Sequence, residues 1–153
     1  MKPIRNSAKA IIIQSGKLLA TKNQDQFGVF YLLPGGGQES GETIYEALIR
    51  ECLEEISAEV EIGEVKFIRE YIGKNHEFRE FDFNVHQIEY MFLCTLKPGS
   101  RLCNGSVPDC NQIGVEWLDL TRFNEYRIYP KALAVLILAD RQVSGKIYLG
   151  DVN

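Results

Sequence analysis

Residues 33–58 read LPGGGQESGETIYEALIRECLEEISA, and each part of that string has a structural meaning. Pro34, followed by Gly35, Gly36 and Gly37, ends the aromatic and apolar run 29–33 in a turn almost free of side chains. Such a turn leaves main-chain carbonyls and amides open to close approach by an ion or a phosphate. After the polar tract 38–42, Thr43 with Glu46 three residues later forms a capping-box signature, which predicts a helix over 44–56. At about 100° per residue, Glu54, Glu51 and Glu55 share one stripe of that helix. Ile44, Leu48 and Cys52 flank the stripe on its buried side, and Arg50 and Glu46 flank it on its wet side. The three acids therefore sit at the edge of the core. Like charges so placed repel one another, and partial burial adds to the cost, so either protons return or a cation neutralises them. A hard divalent ion such as Mg²⁺ takes oxygen ligands and shares substrate phosphates, which suits carboxylates beside an open cleft.

Glu46, Arg50 and Glu54, spaced four apart, would also suit a solvated ion-pair ladder. The spacing of the whole segment tips the balance. Gly36, Glu42, Arg50, Glu51, Glu54 and Glu55 follow the pattern G-x5-E-x7-R-E-U-x-E-E-x-G-U across 36–58, where U is apolar. This resembles the Nudix box. Leu33 to Gly37, the strand-like run through 90–93 and residues 115–118 ahead of a terminal helix extend the likeness over most of the chain. Two positions depart from it: Ser57 replaces the second glycine and Ala58 the last aliphatic residue, so the expected cost is to the backbone at the helix end, not to the carboxylates.

The resemblance implies a single domain over 1–153 with an α/β fold, the Nudix α/β/α sandwich, in which a mixed, curved sheet lies between helices. It implies a Mg²⁺-dependent pyrophosphohydrolase, with Mn²⁺ as an alternative ion, that drives water onto phosphorus of a nucleoside diphosphate derivative such as a nucleotide sugar or a nucleoside triphosphate. Glu51, Glu54 and Glu55, with the main-chain oxygen of Gly36, resemble the metal ligands. Arg50 resembles the residue that orients the glutamates, and Glu42 resembles a tie between glycine loop and helix. Glu54, Arg50 and Glu51 form the expected catalytic set, with Glu54 as base; Asp109, Glu77 and Glu80 are alternative bases on distant segments, whereas the amide of Gln112 cannot serve. Tyr31, Phe78 and Phe81 are candidates for stacking on a base, and residues 73–85 are expected to border the cleft. The alternative is a Nudix-fold nucleotide sensor that does not cut; such modules commonly lose box glutamates, and this chain keeps all of them.

The flanking sequence adds boundaries. Apolar 9–14 and 17–23 around Ser15-Gly16 read as a hairpin. Residues 58–71 read as a long strand broken near Gly63, 74–85 as ambiguous between strand and lid, 87–96 as a strand, 101–114 as a surface loop, and 115–118 as a short strand. A last helix should open at Tyr129-Pro130 and run to about Arg141. The chain has 153 residues, with 17 Lys+Arg against 21 Asp+Glu and a net charge of −4, so it offers no basic field for bulk nucleic acid. The longest apolar stretch, 132–139, is far short of the roughly 20 residues that span a bilayer. A polar amino terminus predicts no secretory leader, hence cytoplasmic location and reduced thiols at Cys52, Cys94, Cys103 and Cys110. The expected partner is a small nucleotide substrate; oligomeric state is left open, a homodimer being one arrangement.

Overall fold

The computed structural model describes residues 2–139 and 145–153. Strand β1 (Arg5–Ile11) alternates its side chains as a half-buried strand must. Ala8, Ala10 and the following Ile12 enter one core, whereas Ile11 enters a second core on the opposite face. β2 (Ile13–Gln14) and β3 (Lys17–Asp25) form the hairpin expected at Ser15-Gly16, where φ values of 50° and 72° supply the two left-handed residues of such a turn.

β4 (Gly28–Leu32) pairs with β3, and β5 is the glycine stretch itself, Gly35–Gly37, lying antiparallel on β1. The glycine segment is thus an edge strand as well as a turn. A Cβ on Gly35 would fall 2.1 Å from the Ala8 carbonyl oxygen, and its φ of +124° is open to glycine alone. Helix α1 (Ile44–Ile56) has the predicted bounds, and both halves of the Thr43–Glu46 capping box are made. It buries Ala47, Leu48, Cys52 and Ile56. Burial of each large side chain among these contributes about 1.5–3 kcal/mol.

β6 (Val60–Ile72) is one strand, and the expected break near Gly63 is a register shift rather than an end. Val65 packs with the α1 core and Phe67 with the other, although a regular strand would set both on one face. Residues 73–85 are neither strand nor open loop: a 3₁₀ turn over Gly73–Asn75 precedes the single-turn helix α2 (Arg79–Asp82). β7 (His86–Leu96) then runs parallel to β1. β8 (Gln112–Asp119) starts three residues before the sequence reading and pairs with β3. β9 (Ile128–Tyr129), α3 (Ala132–Ala139) and β10 (Tyr148–Asp151) complete the chain; neither of these two strands has a sequence signal strong enough to stand alone. The expected end of the last helix near Arg141 lies outside the described residues.

The mixed sheet is realised as two sheets. One has the order β10-β6-β7-β1-β5, and the other runs β2-β3-β4-β9 with β8 on β3. Helix α1 covers the Ala8 face of β1, and Leu133 and Ile137 of α3 seal the second core with Phe123 and Tyr31. This is the expected α/β architecture, with helices packed on strands. No helix among the described residues is long and apolar enough to cross a membrane. All four cysteines are free, Cys52 and Cys94 buried and Cys103 and Cys110 exposed.

Candidate active site

Position on α1 grades the three acids from core to water. Glu55 is 3% exposed, while the side chains of Glu51 and Glu54 are 14% and 32% exposed. Arg50 organises the ridge. Its Nη2 and Nε donate to the two carboxylate oxygens of Glu42 at 2.7 and 3.1 Å, and Nη2 also donates to the Gly37 carbonyl at 2.9 Å. Its Nη1 donates to Glu51 at 2.9 Å and to Glu54 at 3.2 Å. The guanidinium fork thereby holds helix, glycine strand and connecting loop together. Arg50 stays charged because the Glu42 carboxylate beside it raises its pKa, and Glu42 in turn is held below the usual carboxylate range by Arg50.

Glu55 reaches the other side of the glycine strand, where its carboxylate accepts from the Gly35 N–H at 2.8 Å. Burial pushes its pKa up to about 7, against the opposing pull of Lys9 and that N–H; Asp109 and Glu51 raise it further. Lys9 donates to the Gly35 carbonyl, and Ser7 Oγ donates to the Gly36 carbonyl at 3.0 Å. Gly36 has no room for a side chain, because a Cβ there would lie 2.5–2.6 Å from the Glu51 carboxyl. Two cations, Arg50 and Lys9, thus face Glu42, Glu51, Glu54, Glu55 and Asp109. That excess of carboxylate oxygens beside the Gly36 carbonyl suits a hard divalent cation in its chemistry. Among the described residues no three His, Cys, Asp or Glu groups gather closely enough to hold a metal, since Glu51 and Glu54 turn to Arg50 and Glu55 turns to Gly35.

Residues 101–111, expected as a plain surface loop, dock on the end of α1. The N–H groups of Cys103, Gly105 and Val107 donate to the carbonyls of Ile56, Glu55 and Glu54, which lack partners within the helix. Gln112 Nε2 adds a bond of 2.7 Å to the Glu55 carbonyl. Ser57 takes φ 55° and ψ 31° and donates to the Leu53 carbonyl, a left-handed cap made without glycine. Asp109 is brought near enough to Glu55 to act on its charge, whereas Glu77 pairs with Lys131 at 2.5 Å and Glu80 is exposed on α2. Of the three alternative bases, only Asp109 is thus placed beside the ridge.

On the Lys9 face of β1 lies a cavity of about 720 Å³ between the two sheets, roofed by residues 73–85. Phe78 and Phe81 are on its wall. Tyr31 is not: it is 7% exposed in the core, its ring meets Tyr126, and its hydroxyl donates to Glu116 at 3.1 Å. That corrects the expectation for Tyr31, which strand alternation turns away from the cleft. The sequence reading missed Arg127, whose guanidinium lies over the rings of Phe27, Phe30 and Tyr129 and forms a two-bond pair with Asp25 at 2.8 Å each. Arg69 and Glu89, at 6% and 4% exposure, form a buried pair in the same cavity. No local motif marks them, because each gains its meaning from strands far apart in sequence.

A family model described as the NUDIX domain matches residues 3–137. No curated protein matches the chain. Among solved structures, an ADP-ribose pyrophosphatase from Streptococcus suis superposes with a TM-score of 0.65 at 20% identity, covering 97% of this chain and 100% of that one. A NUDIX hydrolase from Nitrosomonas europaea gives 0.74 at 19% identity, over 100% of this chain and 81% of that one. A UDP-X diphosphatase gives 0.71 at 16% identity, over 99% and 68%.

Proposed function

This chain belongs to the NUDIX family of hydrolases, and on that premise we propose that it cleaves the pyrophosphate linkage of a nucleoside diphosphate derivative with the help of Mg²⁺ or Mn²⁺. The observation that carries the reading is the reach of Arg50 to Glu42, Glu51, Glu54 and the Gly37 carbonyl, which sets a carboxylate ridge against a bare glycine strand. Glu51, Glu54 and Glu55, with the Gly36 carbonyl, would hold the divalent ion. When bound, such an ion offsets charge on phosphoryl oxygens and acidifies a bound water.

The remaining work falls to side chains. Glu54 is the most accessible of the three acids and takes the proton from the attacking water. Arg50 holds Glu51 and Glu54 beside the glycine strand, so that the ridge stays assembled although its carboxylates repel one another. Lys9, held at the Gly35 carbonyl, brings positive charge to the cavity end nearest the ridge. The nucleoside portion lies in the large cavity, where Phe78, Phe81 and the rings around Arg127 offer flat apolar surfaces. The expected products are a nucleotide and a second phosphorylated compound. A panel of nucleotide sugars, nucleoside triphosphates, dinucleoside polyphosphates and ADP-ribose, assayed with and without Mg²⁺, tests this. Metal-dependent release that Glu54→Gln abolishes supports the proposal; no release from any member overturns it in favour of a nucleotide sensor.

A further inference from the structure

Beside the large cavity, at the amino-terminal end of β1, lies a second one of about 540 Å³. Its lining brings Lys2, Arg5 and His86 together with Ser40 and Asn84, and its one carboxylate is Glu39. Arg5 stands in register with two residues that have found acceptors on the glycine strand. On the same face of β1, Lys9 donates to the Gly35 carbonyl and Ser7 to the Gly36 carbonyl. Arg5 comes next and lies over Gly37, where a Cβ would fall 2.3 Å from Nη2 and 2.4 Å from Nε. A side chain at 37 would have to displace the end of the Arg5 side chain. Yet among the described residues neither Arg5 nor Lys2 has an ion pair or a side-chain hydrogen bond. His86 adds a buried Nε2 with no partner. Lys2 and Arg5 are exposed to water, and with His86 they stand against the single carboxylate of Glu39, so in a protein whose net charge is −4 this cavity is locally electropositive and suits an anion.

We propose that this second cavity is a phosphoryl-binding site, separate from the carboxylate ridge, in which the Arg5 fork grips phosphoryl oxygens with Lys2 and His86 as further donors. A guanidinium presents five N–H groups in a plane that matches two oxygens of a phosphoryl group, which no neutral donor does. Val85 and Gln87 line both cavities, so the site shares a wall with the large one. The phosphoryl group is therefore either free phosphate or one carried on a nucleotide seated in the large cavity. The inference does not rest on hydrolysis.

The test uses the full chain in EDTA, where the ridge holds no metal, and follows backbone amide NMR signals during titration with inorganic phosphate at constant ionic strength. Saturable shifts at Asn6, Gln38, Ser40 and Asn84 are expected. R5Q should weaken binding about tenfold, the worth of one charge-assisted contact, and R5K should recover part of it. H86N is the second variant should R5Q melt early. Adenosine diphosphate distinguishes the sources: shifts that reach Asn6 and remain sensitive to R5Q assign the site to a substrate phosphoryl group, whereas a response to phosphate alone assigns it to the free ion. Shifts that do not saturate, that are confined to 35–37, or that ignore both R5Q and H86N overturn the proposal. None of these readouts needs turnover, so a failure here is distinct from a failure of the hydrolase reading.

Discussion

The carboxylate ridge lies on α1 against the glycine strand and the large cavity lies between the two sheets, and they differ in how far along the chain their parts originate. Every side-chain partner of Arg50 lies within 13 residues of it. The cavity's polar ties instead join Arg127 to Asp25 across 102 residues, and Arg69 to Asn153 across 84. Chemistry that needs only carboxylates at fixed spacing can be carried by one helix and the strand before it. A chamber shaped for a particular molecule needs walls from several strands. It follows that changes on the ridge should act on rate, and changes in the cavity on substrate affinity.

Glu54→Gln is the hardest test of the first half. It should lower kcat by roughly 10²–10⁴ with little change in KM or melting temperature, as steady-state assays and thermal denaturation will show. An unchanged kcat would move the base elsewhere, Asp109 first. Gly35→Ala probes whether the glycine strand is a structural need or a mere turn. With φ at +124° and the Ala8 carbonyl 2.1 Å from the new Cβ, it should destabilise the fold by about 3 kcal/mol in a denaturant titration.

Glu55 gives the ridge a pH signature near neutrality. Its ordinary pKa of 4.5 rises to about 7 in the folded protein, so between those values the native state binds more protons than the unfolded chain. Metal-free protein should therefore lose stability as pH climbs from about 4.5 to 7, by roughly 2–3 kcal/mol, and no more beyond. Glu55→Gln should flatten that slope in urea titrations at pH 5, 6 and 8; a slope that survives the substitution belongs to another group.

Smaller effects sharpen the second half. Phe81, 71% exposed at the cavity mouth, is not needed to fill a core. Phe81→Ala should raise KM for a nucleotide substrate about 3- to 10-fold while leaving kcat alone. A fall in kcat with KM untouched would break the division of labour. The smallest change is expected from Ser57→Gly. It relieves a left-handed residue at the end of α1 but adds chain entropy to the unfolded state, for a net gain of about 0.5 kcal/mol and no change in activity.

Legibility in the sequence follows the same division. The capping box at Thr43 and Glu46 and the periodicity of 44–56 placed α1 to the residue, and the Ser15-Gly16 turn placed the first hairpin. Both signals are local, since a cap or a two-residue turn is satisfied by neighbours within four positions. That the three acids share one stripe at the edge of the core was visible for the same reason, whereas the burial of Glu55 beyond Glu51 and Glu54 came from packing. The docking of 101–111 on the helix end was not visible, because main-chain N–H groups are present in every loop and nothing in their sequence says which carbonyls they will meet.

The sequence by itself determined an α/β chain with a glycine turn, a capped helix and an acidic edge, because those features depend on backbone preference and on spacing along one element. Only the tertiary structure decided that Tyr31 is core and Phe81 is wall, that Arg69 and Glu89 meet in a cavity, and that Arg5 lies over Gly37. Each of those outcomes turns on which strand lies beside which, and on the face to which a bulge or a register step has turned a side chain.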